Sequence, residues 1–228
     1  MKTTLSCKAI LFDMDGTLIE SNDASEAIWK RWTDLRNVPM EKIRAVHHGR
    51  RPEETIALVA PELDALKEAQ MIYEDQETCL TGIYPIKGAN DFYNALPEGS
   101  FGIVTAATQK ILDTRFGIVG LKPPKVCVTA ERLKNGKPDP EGYLQGALRL
   151  GFDPKDCIVF EDAPAGLLAA KRAGMRSVAI TTHYSVEELR AELGENYEPV
   201  LVISDYESIE LKRVAQADDR SPKLLITC

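Results

Sequence analysis

Asp13 and Asp15 are the first residues in this chain whose types and spacing could do chemistry. They lie in Phe12-Asp13-Met14-Asp15-Gly16-Thr17, directly behind the apolar run Ala9-Ile10-Leu11, so both carboxylates stand at the exit of a predicted buried strand. Open α/β sheets build active sites at that end. Side chains alternate with a period of two in an extended segment, which turns Asp13 and Asp15 the same way, and Gly16 allows a sharp turn straight afterwards. Two acids aimed at one point suit a metal ion, or a nucleophile beside a general acid.

Three more groups follow later strand candidates. Thr105, behind Gly102-Ile103-Val104, offers a hydroxyl, and together with Ala106 it offers backbone N–H groups to a phosphate. Lys137, in Gly136-Lys137-Pro138-Asp139-Pro140, offers a fixed positive charge, and Glu161 and Asp162, behind Ile158-Val159-Phe160, add two acids. Each has a plainer role when taken alone. Asp162 suits an N-cap ahead of Ala163-Pro164, Lys137 a solvated loop, and Thr105 a bond to its own backbone. His47 and His48 have no third histidine or cysteine near them in sequence and do not make a zinc site. Trp29 and Trp32 have the spacing of packing residues, and Glu74-Asp75-Gln76-Glu77 reads as a solvated helix face.

The elements that must position these residues follow a βαβ rhythm. Strand candidates recur at Ala9 to Phe12, Phe101 to Thr105, Val126 to Thr129, Cys157 to Phe160, Ser177 to Ile180 and Val200 to Ile203. Helices are expected at Glu141 to Leu150, stopped by Gly151, and at Ala163 to Ala173, stopped by Gly174. The fold class is therefore α/β, with a Rossmann-like parallel sheet. Between the first strand and Pro85 the pattern turns helical without a convincing strand, which marks an inserted block. There Ile28, Trp32 and Leu35 stand at helical spacing, Pro52 opens a helix, and Leu63, Leu66 and Tyr73 mark a further amphipathic helix. Residues 1–17 and 85–228 are assigned to the core and 18–84 to the helical block, with short joints near Thr17 to Ser21, just behind Gly16, and at Gly82 to Gly88 expected as hinges. After Lys212 only a short strand at Leu224 to Thr227 is expected.

Composition narrows the function. With 228 residues, 44% of them hydrophobic, the chain can bury a full core. A net charge of -7 argues against a broad basic face for nucleic acid or an anionic membrane. No apolar run approaches the roughly 18 residues of a membrane span, and the N-terminal residues lack a secretory apolar stretch, so a cytoplasmic protein is expected. Five cysteines without a close pair fit a reduced compartment, where Cys7, Cys127 and Cys157 serve as small hydrophobes. A monomer is expected rather than an obligate oligomer.

The ordered set of Asp-x-Asp-Gly-Thr, a strand ending in Thr, Lys-Pro and Glu-Asp resembles the haloacid dehalogenase superfamily over almost the whole chain. The helical block resembles that family's small cap of the first type (C1). The resemblance implies that Asp13 is the nucleophile that becomes an aspartyl-phosphate, and that Asp15 protonates the leaving oxygen and later activates water. It implies Mg²⁺ held by Asp13, the Asp15 backbone carbonyl and Asp162, with Glu161 as direct or water-mediated support. An acid at Asp15 favours phosphoryl transfer over dehalogenation, because an alkoxide needs a proton and a halide does not.

The stretches His48-Gly49-Arg50-Arg51, Gly136 to Glu141 and Phe160 to Gly166 are similar to small sugar- and polyol-phosphate phosphatases. That similarity implies contact of His48, Gly49, Arg50 and Arg51 with the sugar or polyol, while Ala106-Ala107 departs from the Ser-Gly frequent in these relatives. A Mg²⁺-dependent phosphatase of small sugar or polyol phosphates is expected, the alternative being a β-phosphoglucomutase-like sugar phosphomutase.

Overall fold

The computed structural model describes residues 3–194, 199–214 and 223–228. In chain order the elements are β1 (Thr4–Cys7), β2 (Ala9–Phe12), β3 (Ile19–Glu20), α1 (Asn22–Arg36), α2 (Met40–Arg44), α3 (Pro52–Val59), α4 (Ala65–Thr78), β4 (Tyr84–Pro85) and α5 (Ala89–Asn94). They continue with β5 (Phe101–Val104), α6 (Gln109–Ile118), β6 (Cys127–Val128), α7 (Glu141–Leu150), β7 (Cys157–Glu161), α8 (Pro164–Arg172), β8 (Arg176–Ile180), α9 (Val186–Leu193), β9 (Leu201–Ile203), β10 (Glu210–Val214) and β11 (Lys223–Thr227).

Six of these strands form a parallel sheet in the order β6-β5-β2-β7-β8-β9. The chain builds outward from β2 through β5 to β6, then returns to β7 on the other flank, so the strand order reverses beside β2. A crevice opens at the carboxyl ends of strands at such a reversal. Alternation on β2 sends Ile10 and Phe12 into one apolar layer with Phe92, Ile111 and Phe116, while Ala9 and Leu11 enter the opposite layer with Tyr143, Ala147 and Ala169. Helices thus cover both faces, which is why the strands read as unbroken apolar runs.

The helices α1 to α4 keep an apolar cluster of their own, centred on Ile28, Trp29, Trp32, Ile43, Ile56 and Ile72. Trp29 and Trp32 pack edge to face within it, with ring centroids 5.8 Å apart. Two expected members are absent from that cluster. Leu35 is 57% exposed and Leu66 75%, because the buried stripe of α1 runs through Ala24, Ile28, Trp29, Trp32 and Thr33, and that of α4 through Glu68, Ala69 and Ile72. Glu68 is buried at the price of two donors, the Trp32 indole at 2.9 Å and a bidentate Arg36. The two joints between the helical block and the sheet run side by side as β3 and β4, which pair antiparallel.

Most expected strands and helices appear within a residue or two of their predicted ends. The third strand is shorter than read, because the chain leaves Cys127–Val128 for a 3₁₀ turn at Ala130–Arg132. A second, antiparallel sheet in the order β1-β11-β10 was expected only in its β11 member. The five cysteines are free, Cys7 and Cys157 buried, Cys127 half-buried. No helix of the described residues is long and apolar enough to cross a membrane.

Candidate active site

Asp13 and Asp15 both line a cleft of about 660 Å³ at the carboxyl end of β2, together with Thr105, Ala106 and Asp162 from the ends of β5 and β7. Asp13 is buried and forms an ion pair with the Lys137 ammonium, which also donates to Glu161 Oε1 at 2.6 Å. Glu161 is fully enclosed. Its Oε1 takes a second bond from the Tyr143 hydroxyl at 2.9 Å, and its Oε2 accepts from the backbone N–H groups of Asp162 and Ala163 at 3.0 and 3.1 Å. With four donors on two oxygens, Glu161 holds Lys137 and the β7 exit in place. Burial pushes the Asp13 carboxyl up, Lys137 opposes that, and Glu161 and Asp162 add to the rise. Burial also works against the Lys137 charge, but Asp13 and Glu161 outweigh it and hold the ammonium above the ordinary lysine range.

Asp162 is not an N-cap, because α8 opens at Pro164 with Ala163 in the cap position. That leaves its carboxylate free to accept from the Thr17 hydroxyl at 3.1 Å and from His183 Nδ1 at 3.1 Å. Burial raises its pKa, and the His183 hydrogen bond pulls the other way. The oxygens of Asp13, Glu161 and Asp162 all lie within 4.8 Å of one another. The approach is so close that two glycines are obligatory. A Cβ on Gly16, whose φ is +75°, would lie 2.1 Å from Asp162 Oδ2, and one on Gly166 would lie 1.6 Å from Glu161 Oε1. Thr105 is buried, and its Oγ1 accepts from Ala107 N at 3.0 Å, which leaves its O–H to donate outward.

The helical block supplies the opposite wall. Ser21, Asn22, Ser25, Trp29, His47, His48, Gly49, Arg50 and Gln76 line the same cleft. His48 lies between Tyr184 and Asn22, 3.3 Å from each, and burial lowers its pKa to about 3. Its ring stacks on His183 at 4.9 Å and 15°. Burial opposes a charge on His183, yet its hydrogen bonds to Asp162 and Glu20 prevail and push it up to about 10, so this imidazole is a cation at neutral pH. His47 and His48 are therefore joined by a third histidine in space, beside acids rather than as a zinc set.

Arg51 does not line the cleft with Asp13 and Asp15 but a smaller pocket beside it with Thr105, Ala106 and Lys137; it pairs with Glu53 and Glu54 and reaches the carbonyls of Leu133 and Lys134, while Glu54 accepts from Gly136 N at 2.8 Å. Its role here is to tie α3 to the loop that carries Lys137. The acidic run in α4 is likewise not merely solvated: Gln76 faces the cleft and Glu77 pairs with Lys110 of α6 at 2.5 Å.

The family model described as haloacid dehalogenase-like hydrolase matches residues 10–180, which spans β2 through β8 and every acid of the cleft. The chain belongs to this family. Among the relatives of this hydrolase, hexitol phosphatase A of Escherichia coli (strain K12) is 36% identical over 181 residues, 77% of this chain and 84% of the relative. Glycerol-1-phosphate phosphohydrolase 2 of Saccharomyces cerevisiae is 33% identical over 221 residues, 91% of this chain and 86% of the relative. A solved hydrolase from Pseudomonas syringae shares the fold, with a TM-score of 0.75 at 24% identity over 86% of this chain and 93% of that one.

Sequence reasoning missed Ser21, Arg115 and His183, which touch acids of the cleft in this haloacid dehalogenase-like hydrolase, and Glu20, which pairs with His183. His183 follows β8, the end at which a switch-point argument looks for function, so a signal existed. Arg115 sits inside the pattern of α6 and carried none.

Proposed function

We propose that the chain is a Mg²⁺-dependent phosphatase of small sugar or polyol phosphates, working through an aspartyl-phosphate on Asp13. The observation that carries the reading is Asp13 itself, a buried carboxylate at a strand exit, paired with Lys137 and facing a cleft shared with Asp15. Three buried acids whose oxygens cluster within 4.8 Å, two of them pushed up by burial, fit a hard divalent cation. Asp13, Asp162 and the Asp15 carbonyl would hold Mg²⁺, with Glu161 behind them, and the ion supplies positive charge to the phosphate oxygens when bound.

In the first step an Asp13 oxygen attacks phosphorus, the ester P–O bond breaks, and the departing alkoxide takes a proton from Asp15. In the second, water attacks the phosphorus of the aspartyl-phosphate, Asp15 takes a proton from it, and inorganic phosphate leaves with the Asp13 carboxylate restored. Lys137 offsets charge at Asp13 throughout, and the Thr105 hydroxyl and Ala106 N–H donate to phosphate oxygens. The wall of Ser21, Asn22, Ser25, Gln76 and His48 is rich in uncharged donors and acceptors, with Arg50 adding a charged donor, and suits a hydroxylated group. The names of the two curated relatives, acting on a hexitol phosphate and on glycerol-1-phosphate, support the same substrate class and do not favour the mutase alternative.

The test is phosphate release from hexitol, glycerol and hexose phosphates, with Mg²⁺ or with EDTA, for wild type and Asp13→Asn. Metal-dependent release that vanishes in Asp13→Asn is expected. Release that persists in the variant, or that ignores EDTA, would refute the mechanism.

A further inference from the structure

Arg115 is 3% exposed on α6, yet its guanidinium emerges in the cleft and pairs with Asp15. A buried guanidinium that loses its partner is strongly destabilising, so this contact is a constraint and not an incidental surface bridge. The Arg115 Nη1 approach is to Asp15 Oδ1, and the Ser21 hydroxyl donates to the same oxygen at 2.7 Å. Arg115 Nε has no hydrogen-bond partner among the described residues, so the side chain is not held by a wider network on that atom.

We propose that Arg115, aided by Ser21, is a positioning residue for the acid–base Asp15, fixing Oδ1 so that Oδ2 carries the transferred proton. The inference rests on the phosphatase reading above and deepens it. Two donors already point at Oδ1, and a proton placed there would face them; the proton of a protonated Asp15 therefore belongs on Oδ2. Arginine remains charged under all working conditions, so the same grip acts when Asp15 is an acid and when it is a carboxylate. Without it the Asp15 side chain, about a third exposed, is held at Oδ1 by Ser21 alone. Placement by α6 also links this grip to the phosphate end. The helix is capped by Thr108, three residues after Thr105, and Arg115 lies six residues beyond Gln109, roughly 9 Å along the axis at the α-helical rise. One rigid element thus spans from the strand exit that meets the phosphate to the proton donor.

The test compares kcat/KM on two esters in the presence of Mg²⁺, glycerol-1-phosphate and p-nitrophenyl phosphate. The alkoxide of the first needs a proton to leave; the nitrophenolate does not. Arg115→Gln is expected to lower kcat/KM for the alkyl ester about 100-fold, the scale of a small misplacement of a catalytic group, with a much smaller loss on the aryl ester. Arg115→Lys, which keeps a donor and the charge, recovers part of the alkyl activity, and Ser21→Ala shows the same selectivity to a lesser degree. Parallel losses on both esters would mark a structural or phosphate-binding role and overturn the assignment, as would an unchanged alkyl rate. Wild-type protein that turned over neither ester would overturn the phosphatase reading, a result distinct from either of these.

Discussion

Lys137→Met removes the positive charge between Asp13 and Glu161 while keeping much of the side chain's length. The ammonium is 6% exposed, Glu161 is fully enclosed and Asp13 is 3% exposed, so neither acid can turn to water for compensation. Breaking a buried pair from one side costs about 3–5 kcal/mol, which for a chain of this size lowers Tm by roughly 6 to 20 °C. The assay is urea unfolding of four proteins without added metal: wild type, Lys137→Met, Glu161→Gln and the double variant. Glu161→Gln alone removes one acceptor of the lysine and disturbs the backbone donors of Asp162 and Ala163. In the double variant one negative charge has gone with the positive one, so it should be well above the sum of the single losses, with a coupling of about 1–3 kcal/mol. A loss below about 1 kcal/mol for Lys137→Met, the range of an exposed bridge, would refute the buried-charge argument. Strict additivity of the singles would do the same.

Two other substitutions follow from the geometry. Gly16→Ala must seat a Cβ 2.1 Å from Asp162 Oδ2 at a φ of +75°, so it is expected to lower the midpoint of thermal unfolding and to raise the Mg²⁺ concentration needed for half-maximal phosphate release; an unchanged metal titration would count against the close approach. His47 is buried, with Nε2 unpartnered, and burial, followed by the charges of His183 and Arg44, lowers its pKa to about 4. The folded state therefore binds its proton more weakly than the unfolded chain, so stability falls as pH drops from about 6.5 and levels off below about 4. The full span is worth about 3 kcal/mol for this one group. His47→Phe keeps a ring beside Trp29 and removes the proton site, so its advantage over wild type in urea midpoint should grow between pH 6.5 and 4. A pH-independent difference would rule out this origin.

The sheet was legible because its strands are buried on both faces and so appear as short apolar runs, and because the site residues stand at strand exits. Pairing order was not legible from any single run, since the place of β2 between β5 and β7 depends on crossovers and not on local pattern. The sheet of β1, β11 and β10 was hidden for another reason: Lys223–Thr227 shows only a half-buried alternation, and its central pairing is with β1 at the far end of the sequence. In the helical block the motif stretch His48 to Arg51 gave the right loop but not the direction of each side chain. Arg51 points to Leu133 and Lys134 because Glu53 and Glu54, two and three residues on, capture it at the start of α3. Arg115 was invisible because an arginine in a helix that also carries Lys110 and Asp113 reads as solvated, although it stands four residues after Ile111 and three after Leu112 on the buried stripe.

The charges around the cleft support the proposed cation independently of the resemblance. Asp13 and Glu161 share Lys137, Asp15 has Arg115, and Asp162 and Glu20 share His183. These five carboxylates have three cations as partners, and Arg50 is one further cation on the cleft wall, so acids outnumber cations in a partly enclosed site of low dielectric. An excess of acid of this kind suits a divalent ion. In the proposed mechanism a phosphate dianion entering without such an ion would meet repulsion at Asp13, the group that attacks phosphorus. With the ion in place, the acids can remain ionised for attack and for metal binding. On the proposed mechanism Lys137, Arg115 and His183 have separate tasks: the first steadies the nucleophile, the second aims the proton donor, and the third holds Asp162 to the wall formed by Glu20 and His48. Removal of any one of these cations therefore disturbs a different acid, which is why their variants should separate in metal requirement, leaving-group dependence and stability rather than fail alike.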